Sequence, residues 1–494
     1  MTWQRERLIR WAVFVLVALF GLAVRLPYLG ERPMHTDEAV NAYIVGQLLA
    51  GKPFTYDPQD RHGPALAAIA LPMARVQGAR TFSDLAESEL RLTPVLAGTI
   101  TILLFGAATE MFGFAPCLIG ALLFACSPLP AYYDRYFIHE SIFVASTFGL
   151  IVSGWSAWMR RSTWRATLAG ACAALMLASK ETAVLHFFAL ASAAFLFWLG
   201  TRRRRSACRS WPRNVPLAAA ASFLLLSVVF VTWFGTLWSA LGELWKAVPD
   251  FTARASGEGH QKPLWYFARL LSGGWSGGSI CTLAAIGLFQ TLKSRDASAY
   301  GFLALYTSAL FAIYSLIPYK TPWLALNFWL SIALFSGLTF QSMWGMGVSY
   351  PGFRVPLRVV GVLIAAGVAV LIAHDTRQRV FLQPADEANP YAYAQTSEDL
   401  LGLVPEIERL ARQNAIASPH IAVMAADPWP LPWYLRHNPE VGFWQPGEQP
   451  GKADFYITST DAADQYTKML QDFHADYFGE RPGVLILLWS PAPK

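Results

Sequence analysis

Apolar and polar positions along this chain fall in long blocks. Apolar runs occupy about residues 8–29, 92–112, 115–131, 141–158, 164–178, 183–199, 215–234, 279–292, 300–317, 323–340 and 357–373. A hydrocarbon core of roughly 30 Å is crossed by about 20 apolar residues in a helix, so these eleven runs predict transmembrane helices. The expected fold is an all-α polytopic membrane protein. Between the first two runs lies the polar stretch 30–89, with weakly amphipathic pieces at 39–50 and 64–77 suited to the interface plane. Near residue 375 the pattern changes to shorter periods. It predicts helices at 397–413 and 462–473 and strands near 421–424, 455–457 and 484–488, a small α/β domain. Two domains are expected, a membrane domain at 1–374 and a water-exposed domain at 375–494.

Composition agrees with the block pattern. Of 494 residues, 54% are hydrophobic and only 15% charged, a balance that a soluble domain of this size does not carry. The apolar stretch of the first run is longer than that of a signal peptide, and no small-residue cleavage site follows it, so it reads as an uncleaved helix. The five cysteines show no CxxC pairing and lie in or beside apolar runs, which makes them packing residues rather than a disulfide or metal framework. The formal charge of +6 comes from clustered arginines, and nothing resembles a nucleic-acid module.

Arginine and lysine placement orients the spans. With a cytoplasmic N-terminus, the alternate loops hold Arg160, Arg161 and Arg165, then the block from Arg202 to Arg205, then Lys293, then Arg354 and Arg358. Dense basic loops then share the cytoplasmic face, and an odd span count puts the C-terminal domain outside a plasma or inner membrane, in a periplasmic or extracellular space.

Ionisable residues at span ends cost free energy unless paired or wet, which makes them candidates for function. On the predicted external face they gather in four places. The 30–89 loop contributes His35, Asp37, Glu38, Arg61 and His62. The loop after the third run contributes Asp134, Arg135, His139 and Glu140, and two later junctions contribute Lys180 with Glu181 and Tyr319 with Lys320. Each also has a bland reading as a solvated loop charge or interfacial anchor. As a set they suit glycosyl transfer. A carboxylate such as Asp37 can take the acceptor's hydroxyl proton, and cations such as Arg61, His62, Lys180 and Lys320 can meet the charge that grows on a phosphate leaving group.

In order, residues 34–39 (Met-His-Thr-Asp-Glu-Ala), 61–64 (Arg-His-Gly-Pro), 135–140 (Arg-Tyr-Phe-Ile-His-Glu), 179–182 (Ser-Lys-Glu-Thr), 319–323 (Tyr-Lys-Thr-Pro-Trp) and 429–436 (Trp-Pro-Leu-Pro-Trp-Tyr-Leu-Arg) carry a resemblance. The chain resembles the GT-C superfamily of polyprenyl-phosphate-sugar-dependent glycosyltransferases. It is most similar to the branch of protein O-mannosyltransferases and the lipid A aminoarabinose transferase, and within that to the archaeal and bacterial family associated with flippase activity in N-glycosylation. The resemblance implies that Asp37 matches the catalytic acid, with Glu38 beside it. It sets Glu140, in competition with Asp134, at a second acidic position, and Arg61 or His62 near the lipid phosphate. The donor implied is a polyprenyl-phosphate sugar, and the acceptor is a protein, lipid or glycan. Some members use a divalent cation, for which Asp37, Glu38 and Glu140 offer suitable hard ligands.

Two other readings stand beside the enzyme. A lipid-linked-sugar flippase, or an accessory to one, would place ionisable groups near the midplane of broken helices and show repeated halves. Neither is evident, and the acids sit at span ends. A scaffold using its C-terminal domain for partner binding is the third. The 429–436 stretch reads foremost as a docking element for that domain and secondarily as a substrate contact.

Overall fold

A computed structural model describes residues 2–55, 62–202, 212–243, 261–294, 298–349, 352 and 354–491. Each of the eleven apolar runs is mostly helical, with 92–112 and 115–131 each split between two helices. Among the described residues, eight helices are long and apolar enough to cross a membrane: Gln4–Arg25, Glu87–Ala107, Glu140–Arg160, Ala183–Thr201, Asn214–Val231, Ala299–Leu316, Pro322–Gly345 and Val355–Leu382. The expected count of eleven is not reached on those grounds. Phe114–Cys126 has 13 residues because Ser127 and Pro128 break the run. Thr163–Ser179 has 17, and Gly274–Ser294 opens on Gly-Trp-Ser-Gly-Gly-Ser, which dilutes its apolarity.

Chain contacts divide into two compact units. The first comprises Met1–Pro27, Phe54–Ile69 and Arg91–Leu382 and holds most of the membrane helices. Within it the Thr163–Ser179 helix packs between Glu140–Arg160 and Asn214–Val231, and Leu326–Ser349 packs against Phe114–Cys126 and Gly274–Ser294. Ala183–Arg202 lies on Ala299–Leu316. Cys117, Cys126, Cys172 and Cys281 are free thiols, whereas Cys208 lies outside the described residues.

The second unit comprises Tyr28–Pro53, Ala70–Leu90 and Gln383–Lys494, so parts of the 30–89 loop pack together with the C-terminal segment. Its sheet holds β1 (Ile421–Met424), β2 (Val441–Trp444), β3 (Phe455–Ser459), β4 (Phe473–Arg481) and β5 (Val484–Pro491) in the order β2-β1-β3-β5-β4. β2, β1 and β3 run parallel, and β5 pairs antiparallel with both β3 and β4. Side chains alternate across a strand, so β1 feeds two cores. Ile421 and Val423 pack with Leu403, Ile407 and Ala411 of the Leu403–Gln413 helix, while Ala422 and Met424 pack with Tyr456, Ala462 and Tyr466 on the other face.

Strands β1, β3 and β5 match the sequence pattern. β2 has four residues with a glycine inside it and lies at the sheet edge, which leaves little apolar signal. The second expected helix ends early, at Tyr466, and Phe473 opens β4. Ala462, Tyr466, Leu470 and Phe473 keep a helical spacing, yet the last of them is spent on sheet pairing.

The 429–436 stretch is built into the second unit. Trp433 is fully buried, its indole N–H donates to Glu87 Oε1 at 2.7 Å, and the Arg436 guanidinium lies 3.7 Å from its ring centroid. Trp433→Ala should cost about 3–5 kcal/mol in that unit, read as a lower denaturation midpoint and faster proteolysis of the 383–491 segment. Wild-type resistance in that variant would remove Trp433 from the packing account.

Candidate functional site

Ionisable side chains collect in two clusters, one in each unit. In the second unit, the chain enters the Thr36–Leu49 helix through residues 32–35, and the helix start needs partners for its free N–H groups. His35 is the N-cap, where Ser, Thr, Asp or Asn is usual. Its Nδ1 accepts from the Asp37 N–H at 3.0 Å, and its backbone N–H donates to Glu38 Oε2 at 3.1 Å, completing a reciprocal capping box. The second ring nitrogen, Nε2–H, donates to the Tyr393 carbonyl at 3.0 Å, which selects the tautomer the cap requires. Burial is the main cause that holds the His35 pKa below its ordinary value.

Glu38 is fully buried, and both its oxygens lie 3.3 Å from Arg32 Nη2. The Asp37 carboxylate is half-buried and takes no hydrogen bond or ion pair among the described residues. The two neighbouring acids therefore differ in kind: Glu38 is spent on the helix start, and Asp37 is available. The Met34 N–H donates to the Tyr434 hydroxyl at 2.8 Å, the Thr396 hydroxyl donates to the Met34 carbonyl at 2.7 Å, and the Gln395 amide donates to the Pro33 carbonyl at 3.1 Å. These contacts hold the strand-like approach to Asp37 against the C-terminal segment of the same unit.

In the first unit, His62, His139, Glu140, Lys180 and Glu181 come together. The Lys180 ammonium donates to Glu140 Oε1, and both side chains are buried. His62 Nδ1 lies 2.9 Å from Glu181 Oε2, and the His62 and His139 rings meet edge to face at 5.3 Å. His139 Nε2–H donates to the Gly63 carbonyl at 3.1 Å. Burial, then the charges of His62 and Lys180, hold the His139 pKa well below its usual value. Burial opposes ionisation of Glu181, but His62, a backbone N–H and Lys180 outweigh it and bring its pKa to about 2. Gly63 makes the cluster possible, because a Cβ there would sit 2.2 Å from the Ala178 carbonyl oxygen.

Asp134 belongs to a separate buried pair. Arg25 Nε donates to its Oδ2 at 2.9 Å, and the Ser141 hydroxyl donates to its Oδ1 at 2.7 Å. Gly98 leaves room for that carboxylate, since a Cβ would lie 2.1 Å from it. Arg135 stacks on Phe381 at 4.8 Å. Lys320 is buried, with its ammonium donating to the carbonyls of Ile317 and Lys262, and burial lowers its pKa. It caps a helix end. Tyr319 forms an isolated antiparallel bridge with Gln261 ahead of the Pro322–Ala325 segment, where Trp323 meets Tyr136 at 6.3 Å between centroids. Arg61 lies outside the described residues.

Arg25, Arg32 and Ser141 carry polar contacts that the motif reading passes over. A basic residue at the end of an apolar run was the available signal for Arg25, as was one beside two acids for Arg32. The donor set does not fit a cation resting on Asp37, Glu38 and Glu140, because Arg32 and Lys180 already occupy two of the three carboxylates. Among the described residues no group of three or more His, Cys, Asp and Glu side chains is placed to hold a metal ion.

The family model for dolichyl-phosphate-mannose-protein mannosyltransferase matches residues 73–233. No curated protein sequence matches the chain. Among solved structures, ArnT from Cupriavidus metallidurans bound to undecaprenyl phosphate superimposes with a TM-score of 0.64 at 16% identity, covering 97% of each chain. The archaeal oligosaccharyltransferase AglB from Archaeoglobus fulgidus, in complex with an inhibitory peptide and a dolichol-phosphate, gives 0.58 at 13% identity, over 99% of this chain and 74% of that one.

A pH prediction follows from the His35 cap. Its folded-state pKa lies below the unfolded value of about 6.5, so the unfolded chain takes up the proton first. The stability it contributes is complete above about pH 6.5 and is lost as pH falls toward the folded value. His35→Asn keeps an acceptor for the Asp37 N–H and removes the titration. Its thermal midpoint should therefore fall less than that of the wild type between about pH 7 and pH 5. Parallel curves would show that His35 does not titrate as the cap.

Proposed function

We propose that this chain, which has the fold of the GT-C membrane glycosyltransferases, transfers a sugar from a polyprenyl-phosphate-linked donor to an extracytoplasmic acceptor, with Asp37 as the general base. In the step, the acceptor oxygen bonds to the anomeric carbon while the bond from that carbon to the phosphate oxygen breaks. The acceptor's proton passes to the Asp37 carboxylate, and polyprenyl phosphate leaves with the bonding electrons. The observation that carries the assignment is the difference between neighbours: Glu38 is bonded to Arg32 and His35, while Asp37 has an open carboxylate at the head of a capped helix.

Within the first unit, His62, oriented by Glu181, and Lys180 offer positive charge suited to a phosphate. A phosphate would compete with Glu140 for the Lys180 ammonium, so Glu140 sets how readily that cation is given up. Supporting the donor class are the two structural neighbours, whose complexes hold undecaprenyl phosphate and a dolichol-phosphate. Arginine placement supports a cytoplasmic N-terminus in the plasma membrane and an external reaction.

The test is transfer by the purified full chain from radiolabelled polyprenyl-phosphate sugars to a cell-envelope acceptor pool, comparing wild type with Asp37→Asn. Loss of the base should slow transfer about 10²–10⁴-fold at unchanged expression and melting temperature. Full transfer by the variant would end the assignment of Asp37. Movement of labelled donor across vesicles without any product would favour a flippase instead.

A further inference from the structure

The Glu140–Arg160 helix carries His139 and Glu140 at one end and Arg160 at the other, a length of about 30 Å for its 21 residues. Its neighbour, Thr163–Ser179, leads into Lys180 and Glu181 at one end and carries Arg165 at the other. The arginine ends border a cleft of about 590 Å³ that the reaction described above does not use. Its rim carries Arg7, Arg10, Arg160 and Arg165 against Glu6 and Glu110, a surplus of two positive charges.

Glu110 is held by Arg160 through bonds of 2.6 and 3.0 Å and by Arg165 at 3.4 Å. The pair of guanidinium groups is thereby fixed at the cleft mouth with more positive charge than one carboxylate cancels. Arg7 and Arg10 are exposed, and Arg10 lies 5.6 Å from the centroid of the Phe114 ring. Deeper in, the walls are apolar, formed by Phe14, Leu104, Val152 and Leu168. Trp11 and Trp164 stand exposed at the arginine level, where amphipathic rings sit at a membrane surface.

We propose that this cleft is a binding site for an anionic glycerophospholipid of the arginine-side leaflet, with the headgroup phosphate on the guanidinium groups and an acyl chain along the apolar wall. Guanidinium forks match phosphate oxygens in pairs, and basic pockets between membrane helices on the cytoplasmic side select anionic headgroups. The surplus of two positive charges explains the preference for an anion, and the apolar wall explains why a free phosphate is a poor substitute. The arginine rim stands at the far ends of these two helices from His139, Glu140 and Lys180, so the headgroup occupies a site of its own.

The experiment is native mass spectrometry of the purified full chain titrated with phosphatidylglycerol, phosphatidylcholine of the same acyl chains, undecaprenyl phosphate and inorganic phosphate. Phosphatidylglycerol should bind about tenfold or more tightly than phosphatidylcholine, and Arg7→Gln with Arg10→Gln should remove about tenfold of that affinity. Both arginines are exposed, so the fold is kept, which the melting temperature checks. Glu110→Gln supplies the opposite sign: it frees Arg160 and Arg165 and should tighten phosphatidylglycerol binding, a gain that general damage does not produce. Equal affinity for the two phospholipids, or unchanged phosphatidylglycerol affinity in both variants, would overturn the site. Preferential capture of undecaprenyl phosphate, or binding of inorganic phosphate alone with equal strength, would overturn the choice of lipid.

Discussion

A charge at the end of an apolar helix must be paired or reach water, and that constraint organises the polar residues of this chain. Burying an isolated carboxylate costs several kcal/mol, and each buried acid accordingly meets a base. Asp134 meets Arg25, Glu140 meets Lys180, Glu38 meets Arg32 and Glu181 meets His62. None of these pairs is strong grounds for stability in itself, since the desolvation of both partners offsets much of their attraction. Their value is positional: removing either partner would leave its mate buried and unpaired, so each pair locks two chain segments together.

Set against that pattern, the Asp37 carboxylate takes no hydrogen bond or ion pair among the described residues. The helix it opens is capped on either side of it, by His35 before and Glu38 after, and the approach is held by Tyr434, Gln395 and Thr396. Position is supplied by residues other than Asp37, which leaves its oxygens uncommitted. An acid held rigidly by its surroundings and bonded to none of them suits proton transfer, because no existing bond has to break before the proton arrives.

Much of the membrane architecture was legible because apolar length is a strong signal, and every apolar run is mostly helical. Runs interrupted by Pro128 or diluted by the glycines of 274–278 were harder to count as crossings, since length and apolarity decide that and both fall short there. The ionisable candidates were found by the same route, as charges at the ends of apolar runs, but their partners were not. Pairing Arg25 with Asp134 joins residues 109 positions apart, and no local pattern carries that. Lys320 shows the limit most plainly. Its sequence context offers a cation at a span end, whereas the folded chain spends its ammonium on two backbone carbonyls. The distinction between Asp37 and Glu38 likewise depends on a capping box whose N-cap is a histidine, a residue type that cap rules rank low.

Carboxyl footprinting of the purified full chain tests the central claim most directly. Labelling with a carbodiimide and an amine, followed by peptide mass spectrometry, reports how available each carboxylate is. Asp37 should be modified well before Glu38, Asp134 and Glu140, which are held by Arg32, Arg25 and Lys180. Modification of Glu38 or Glu140 ahead of Asp37 would contradict the division between paired acids and the open one.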